Sequence, residues 1–97
     1  MELKNTAVAG TMESSDIMVT VEPADDGGIQ IDLTSNVYGQ FGNHILGVIR
    51  ETIEKYGIEN ARVTAVDKGA FDCTIKARTA AAIMRSAEST DYKWEVG

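Results

Sequence analysis

Residues 37–56 constrain the fold of this chain more than any other segment. Their apolar side chains recur at the spacing of one helical face, at Val37, Phe41, Ile45, Val48, Ile49, Ile53 and Tyr56. Ser35 or Asn36 can cap the start of such a helix, and Gly57 stands where a C-terminal cap glycine is expected. The pattern predicts one long amphipathic helix, whose apolar face needs a second layer to pack against.

The segments around this helix have the period of β-strands. Residues 6–12, 17–22, 29–34 and 62–67 alternate apolar and polar positions or are rich in β-branched residues, and polar or glycine-containing turns separate the first three. The link between the first two strands is only the short polar run 13–16, which predicts an antiparallel hairpin.

A second helix is predicted over about residues 70–87, because the run from Ala77 to Arg85 favours helix. Residues 71–75 alternate like a strand and also suit a helix. We favour helix there, since Asp72 suits a helix start and no turn separates this stretch from the alanines. The expected fold is α+β, a small antiparallel sheet of about four strands packed against two helices. We expect residues 1–97 to form a single domain, with about 88–97 as a flexible tail.

Gly39, Gly42 and Gly47 lie inside the predicted long helix, where each costs about 1 kcal/mol relative to alanine. We interpret them as points where the helix backbone packs closely on the sheet. The alternative is a groove through which a partner or ligand approaches the backbone.

Composition excludes several classes of function. The net charge of −6, with 9 basic residues scattered along the chain, argues against nucleic-acid binding. A single cysteine excludes an internal disulfide, and a single histidine leaves no plausible zinc cluster. No apolar run approaches the roughly 20 residues of a membrane span, and the N-terminus lacks the pattern of a signal peptide. We therefore expect a cytoplasmic protein with no metal, membrane or nucleic-acid partner.

The candidate functional residues are two adjacent serines, Ser14 and Ser15, in the polar link of the hairpin. A turn at this point exposes a hydroxyl to other proteins. Nothing in the sequence activates either serine, because a serine nucleophile needs a neighbouring base and an orienting group. The residues alone favour a simple hairpin turn at this link.

Two blocks of the sequence favour a functional site over a simple turn. The run from Ala7 to Asp16, with Gly10-Thr11-Met12-Glu13-Ser14 at its centre, closely resembles the start of the acyl carrier (gamma) subunit of citrate lyase. The run from Asp67 to Cys73, followed by Ala77 and Arg78, resembles the same family nearer its C-terminal end. The resemblance extends over almost the whole chain, in the same order of segments.

The resemblance implies that Ser14 carries 2'-(5''-phosphoribosyl)-3'-dephospho-CoA through a phosphodiester, with Ser15 as the alternative site. The family commonly has glycine where this chain has Ser15. It implies a non-catalytic carrier that presents acetyl and citryl thioesters to the alpha (acyl transferase) and beta (lyase) subunits, while citrate is cleaved to oxaloacetate and acetate. A separate transferase would attach the prosthetic group. The alternatives are the carrier of a malonate decarboxylase-type complex and a structural or regulatory adaptor.

The acidic balance also suggests how partners would be recruited. Glu13, Asp16, Asp25 and Asp26 are expected to form an acidic docking surface that steers the carrier towards basic partner subunits. Arg78 and Arg85 are expected to be solvated on one face of the second helix, with an acidic neighbouring subunit as the alternative partner.

Overall fold

The computed structural model describes residues 2–88, which form four strands and two helices. The elements in chain order are β1 (Ala7–Ala9), β2 (Ile17–Pro23), β3 (Ile29–Ser35), α1 (Tyr38–Lys55), β4 (Ala61–Asp67) and α2 (Asp72–Ser86). The α+β class, the number of strands and the two helices are therefore as the sequence predicts. The expected tail lies outside the described residues, apart from Glu88.

The strands form one sheet in the order β1-β2-β4-β3. β1 and β2 are the predicted antiparallel hairpin, and β2 also pairs antiparallel with β4. β3 and β4, however, are parallel, so the sheet is mixed and not wholly antiparallel. The cause is α1, which returns the chain to the end of the sheet where β3 began, and β4 then runs in the same direction.

Both helices cover one face of the sheet. On that face the side chains of β2 and β4 are almost completely buried: Ile17, Val19, Val21, Ala61, Val63 and Ala65. The corresponding residues of β3 are only half-buried, because β3 lies at the edge of the sheet. The core is therefore centred on β2 and β4, the two inner strands, and each helix contributes buried isoleucines to it.

Helix α1 begins and ends within one residue of the predicted bounds. Its first turn is not capped by a side chain, and Val37 occupies the N-cap position in place of the predicted Ser35 or Asn36. Gly57 does follow the helix with a φ of 72°, and its N–H bonds to the carbonyl of Glu54. The left-handed conformation at that position explains the glycine.

The explanation predicted for the glycines inside α1 is wrong for Gly39 and Gly47. A β-carbon at either position would meet no atom within 4 Å, so neither glycine serves close packing on the sheet. A β-carbon on Gly42 would collide with the ring of Tyr38, four residues earlier in the same helix, at 2.8 Å. Of the three glycines, only Gly42 lies close to another side chain, and that side chain belongs to α1 itself.

Helix α2 includes residues 72–75, as favoured over a strand, with the exposed Phe71 as its N-cap residue. Its C-terminal end is joined to the start of the chain, since the N–H groups of Lys4 and Asn5 both bond to the carbonyl of Ser86. Neither helix among residues 2–88 is long and apolar enough to cross a membrane.

Candidate functional site

The two candidate serines lie at the end of the sheet where several chain segments meet. Ile17, the first residue of β2, pairs with Asp67, the last residue of β4. Ser35, the last residue of β3, is also paired with Asp67. The turn before β2, the start of α1 and the loop from β4 to α2 are therefore gathered at one end.

Residues 13–16, which we call the serine turn, are joined to the loop after β4 by main-chain hydrogen bonds. The N–H of Ser15 donates to the carbonyl of Lys68 at 2.8 Å, and the N–H of Lys68 donates to the carbonyl of Asp16 at 2.9 Å. Within the turn, the N–H of Asp16 donates to the carbonyl of Glu13 at 3.1 Å. These bonds extend the pairing of β2 with β4 beyond the ends of both strands and fix the backbone beneath the serines.

Ser14 and Ser15 are both exposed, but their backbones differ. Ser15 has a φ of 65°, in the left-handed region that glycine adopts without steric cost, whereas Ser14 has no positive φ. Within residues 2–88, no side chain forms a hydrogen bond with either hydroxyl. The second serine thus occupies a position whose geometry suits glycine.

Asp16 is the anchor of the turn and is buried, with 8% of its surface exposed. Its carboxylate oxygens accept hydrogen bonds from Nε and Nη2 of Arg78, both at 3.0 Å. They also accept from the hydroxyl of Thr11 at 2.6 Å, from the N–H of Thr11 at 3.2 Å and from the N–H of Ile17 at 2.7 Å. One side chain therefore joins the end of β1, the serine turn and α2.

These bonds stabilise the charged form of the carboxylate. The paired guanidinium of Arg78, followed by the Thr11 hydroxyl and the Ile17 N–H, holds the pKa of Asp16 well below its usual range. Asp16 in turn raises the pKa of Arg78. A bidentate pair of this kind is directional as well as attractive, so it fixes where the turn lies relative to α2.

The structure corrects the expected acidic docking surface. Asp16 faces the protein and is paired, so it does not form part of an accessible acidic rim. Asp25 and Asp26 follow β2 at its other end, a distance of about 20 Å for a strand of 7 residues. Of the four acidic residues, only Glu13 is both exposed and adjacent to the serines.

The interpretation of the arginines as solvated side chains is wrong for Arg78, which is half-buried and binds Asp16. Arg85 is exposed, as expected, and it donates from Nη1 to the carbonyl of Val8 at 2.6 Å. Sequence reasoning missed the pairing of Asp16 with Arg78, because the two residues are 62 positions apart. The appearance of both in the family-like blocks was the signal available.

Gly10 is required by the approach of two backbones. Its φ is 94°, and a β-carbon at this position would lie 1.8 Å from the carbonyl oxygen of Ile17. No side chain fits there unless the hairpin opens. The glycine therefore lets the chain leave β1 close to the first residue of β2 and places the serine turn at the sheet end.

Asp67 organises the neighbouring loop. Its carboxylate, 1% exposed as a residue, accepts hydrogen bonds from the hydroxyl of Ser35 at 2.8 Å, the N–H of Gly69 at 3.1 Å and the N–H of Ala70 at 3.0 Å. The same hydroxyl accepts from the N–H of Val37 at 3.1 Å. Two buried aspartates therefore stabilise the neighbouring segments at this end of the sheet: Asp16 holds the serine turn, and Asp67 holds the loop after β4.

Beside this loop, the first half of α1 and the start of α2 enclose a groove of about 390 Å³. Two of its lining residues are exposed phenylalanines, Phe41 (46% exposed) and Phe71 (72% exposed). His44, at the rim, contacts the carboxylate of Asp72 through Nε2 at 2.9 Å. Cys73 is exposed in the first turn of α2.

Among the described residues, the Ser14 hydroxyl has no neighbouring base that would activate it as a nucleophile. The chain's single histidine is engaged with Asp72 across the groove, and within residues 2–88 no base contacts the Ser14 hydroxyl. The Ser14 hydroxyl is accessible, and main-chain hydrogen bonds to Lys68 hold the backbone of its turn in place. An external enzyme that brings its own base can modify such a hydroxyl.

Comparison with known proteins shows the family of the chain. A family model described as "ACP: Malonate decarboxylase delta subunit (MdcD)" matches residues 4–86. A citrate lyase acyl carrier protein of Lactiplantibacillus plantarum is 56% identical, with 99% of each chain covered. One from Fusobacterium nucleatum is 55% identical, covering 97% of this chain and all of that protein, and one from Streptococcus equi subsp. zooepidemicus is 54% identical, covering 98% and 93%.

Among solved structures, a chain from the crystal structure of a Pseudomonas malonate decarboxylase hetero-tetramer in complex with malonate has a TM-score of 0.61. The match covers 84% of both chains at 19% sequence identity, so it supports the fold. The family model and the relatives define an acyl carrier protein. Within that class, the chain belongs to the family of citrate lyase acyl carrier proteins.

Proposed function

We propose that this chain is the acyl carrier subunit of a citrate lyase and carries 2'-(5''-phosphoribosyl)-3'-dephospho-CoA on Ser14 through a phosphodiester. The observation that carries the proposal is the identity of 54–56% to citrate lyase acyl carrier proteins over 97–99% of the chain. The exposed hydroxyl of Ser14 on a fastened turn fits the attachment of such a group.

The geometry favours Ser14 over Ser15 as the attachment site. Ser15 has a left-handed backbone and its N–H is bound to Lys68, so this residue serves to shape the turn. A glycine would serve equally well there, which is what the resemblance to the family implies. Ser14 is equally exposed and has no comparable backbone constraint, which supports it as the attachment site.

When bound, the group supplies a thiol that carries acyl groups as thioesters. The chain's own residues have a different task. Thr11, Asp16 and Arg78 hold the turn against α2, and the main-chain bonds to Lys68 hold it against the sheet. The carrier thus offers its attachment point in one orientation to enzymes that must enclose it.

The partners in this proposal are the acyl transferase (alpha) and lyase (beta) subunits of citrate lyase, with a separate transferase that attaches the group. Tethering to one carrier turns each acyl transfer into an encounter at high effective concentration. The carrier itself performs no catalytic step, and we place the complex in the cytoplasm.

The attachment is tested by intact mass and peptide mapping of the protein from its own host. Ser14→Ala is expected to abolish loading and leave stability within about 0.5 kcal/mol, because the residue is exposed. Ser15→Ala is the matched control and is expected to keep the loading. Mapping of the group to Ser15, or full loading of Ser14→Ala, would overturn the assignment.

The second candidate is the carrier of a malonate decarboxylase-type complex. It is favoured by the description of the matching family model and by the fold shared with a chain of the Pseudomonas decarboxylase. Purification of the carrier from its own host separates the two candidates. Citrate lyase subunits are expected to co-purify, and recovery of decarboxylase subunits in their place would favour the second.

A further inference from the structure

We propose that the groove between α1 and α2 is a resting site for the pantetheine end of the carrier's own prosthetic group. The inference rests on the proposed attachment at Ser14. It adds a binding site and a second state of the carrier, in which the thiol end of the group lies against the protein and not in solvent.

The groove is formed by one face of α1 and the loop that follows β4. Val37, the N-cap residue of α1, is followed by Phe41, His44 and Ile45 at intervals of four, three and one residues, so the four lie on one side of the helix. Gly69, Ala70, Phe71 and Asp72 form the opposite side. Apart from the His44–Asp72 pair, the lining side chains are apolar.

The groove begins next to the proposed attachment point. Ser15 is hydrogen-bonded to Lys68 at 2.8 Å. With standard bond lengths, this places the α-carbon of Ser14 at most about 8 Å from that of Gly69, which lines the groove. A group with two ribose units, a diphosphate and a pantetheine chain is much longer than this separation, so its far end can fold back into the groove.

The groove and its surroundings are chemically complementary to the phosphates and to the pantetheine chain of the prosthetic group. Lys68 is joined to Ser15 by its main chain and directly precedes Gly69 of the groove, so its positive charge is available to the phosphates of the group. The pantetheine chain contains a gem-dimethyl group and methylenes, which are complementary to the exposed rings of Phe41 and Phe71. Its amides can reach the His44–Asp72 pair or the solvent at the open side.

The size of the groove favours this occupant over a protein partner. A volume of about 390 Å³ falls within the roughly 300–1,000 Å³ of small-molecule sites. A stable protein interface needs about 800 Å² from each partner, which extends well beyond two phenylalanines and their neighbours. Docking of a partner subunit on this surface is the alternative that the experiment below distinguishes.

The variant for the test is Phe71→Ser. Phe71 is the N-cap residue of α2 with φ −74° and ψ 160°, and it has no capping side chain. Serine is among the preferred residues at this position, so the variant is expected to fold. Tyr38→Ser is the matched control, because Tyr38 is also aromatic, is 47% exposed and does not line the groove.

The experiment uses protein loaded with the prosthetic group, with loading on Ser14 verified by mass and peptide mapping. Cys73 is replaced by serine in every sample, because its exposed thiol would also react. The reaction rate of the prosthetic thiol with an aromatic disulfide is then measured. Phe71→Ser is expected to raise this rate about three- to tenfold, as loss of one aromatic contact does for a weakly held ligand, and Tyr38→Ser to leave it unchanged.

Amide shifts locate the effect. Loading of Ser14 is expected to shift the resonances of Gly69, Phe71 and His44, whereas the turn at Gly27 and Gly28, at the far end of the sheet, stays constant. Equal thiol rates in the parent and Phe71→Ser, or absence of shifts at the groove, would overturn the inference. If Phe71→Ser instead weakens binding to a catalytic subunit with an unchanged thiol rate, the groove is a subunit-docking surface and the inference is wrong.

Failure of the inference is separable from failure of the proposed function. Absence of the group from Ser14 is seen in the mass measurement before any rate is recorded. A correctly loaded carrier whose thiol is indifferent to Phe71 contradicts the resting site alone.

Discussion

The backbone of Ser15 provides a sharp test of the site geometry. A residue other than glycine in the left-handed region costs about 1–2 kcal/mol. Replacement by glycine removes this cost but adds about 0.4–1 kcal/mol of unfolded-state entropy. The net expectation for Ser15→Gly is a stabilisation of about 0.5–1 kcal/mol, since the exposed side chain forms no hydrogen bond with residues 2–88.

Ser14 provides the control for this prediction. It has no positive φ, so Ser14→Gly gains no backbone relief and is expected to destabilise the protein by about 0.4–1 kcal/mol. The two variants should therefore differ by about 1–2 kcal/mol in the free energy of unfolding, or about 4–16 °C in Tm for a chain of this size.

The assay is thermal and urea unfolding of the unmodified protein and the two variants, followed by circular dichroism. Ser15→Val extends the series, because a β-branched side chain is poorly tolerated at a positive φ and should destabilise the protein clearly. If Ser15→Gly lowers Tm as much as Ser14→Gly, the left-handed turn is not the conformation of the protein in solution and the argument for Ser14 loses its geometric basis.

The remaining predictions concern packing and charge. Gly10→Ala should destabilise the protein by about 2–5 kcal/mol in urea unfolding, because a positive φ and a β-carbon 1.8 Å from the Ile17 carbonyl add to each other; a loss below 1 kcal/mol would contradict the close approach. Thr79→Val should stabilise it by about 1–3 kcal/mol, since the fully buried Thr79 hydroxyl has no partner in the described residues; a destabilised variant would show that the hydroxyl is satisfied in solution. The lowered pKa of Asp16 means that its stabilising effect is present above the usual aspartate value of about 3.9 and is lost as the pH falls below it. Asp16→Asn should therefore be less stable than the parent at pH 7, and the two proteins should converge in stability in strong acid. A constant difference in the free energy of unfolding across this pH range would refute the linkage.

Local patterns predicted most of the elements correctly. The alternation in residues 29–34 and the helical spacing in residues 37–56 each depend on neighbours in sequence, and both elements were predicted within one or two residues. The same holds for Gly57, which ends α1 as expected. Periodicity contains this information because each element exposes one face to the core.

Properties that join distant segments were not predicted. The parallel pairing of β3 with β4 depends on where α1 returns the chain, and no pattern within either strand specifies it. The bond between Asp16 and Arg78 likewise connects residues that only the fold brings together. The exposed serines were identified from turn chemistry and Ser14 was preferred from the family resemblance, whereas the left-handed backbone of Ser15 is seen only in the structure.

The main-chain bonds between the serine turn and the loop after β4 have a consequence for motion. Ser15 and Asp16 are hydrogen-bonded to Lys68 on a continuation of the two central strands, so the turn has little freedom to move relative to the sheet. A group attached at Ser14 would sweep a sphere whose centre is fixed in the frame of the sheet, with a radius set by the group alone. To serve two active sites that lie farther apart than this sphere allows, the whole carrier must rotate or travel, because the turn cannot extend to meet them.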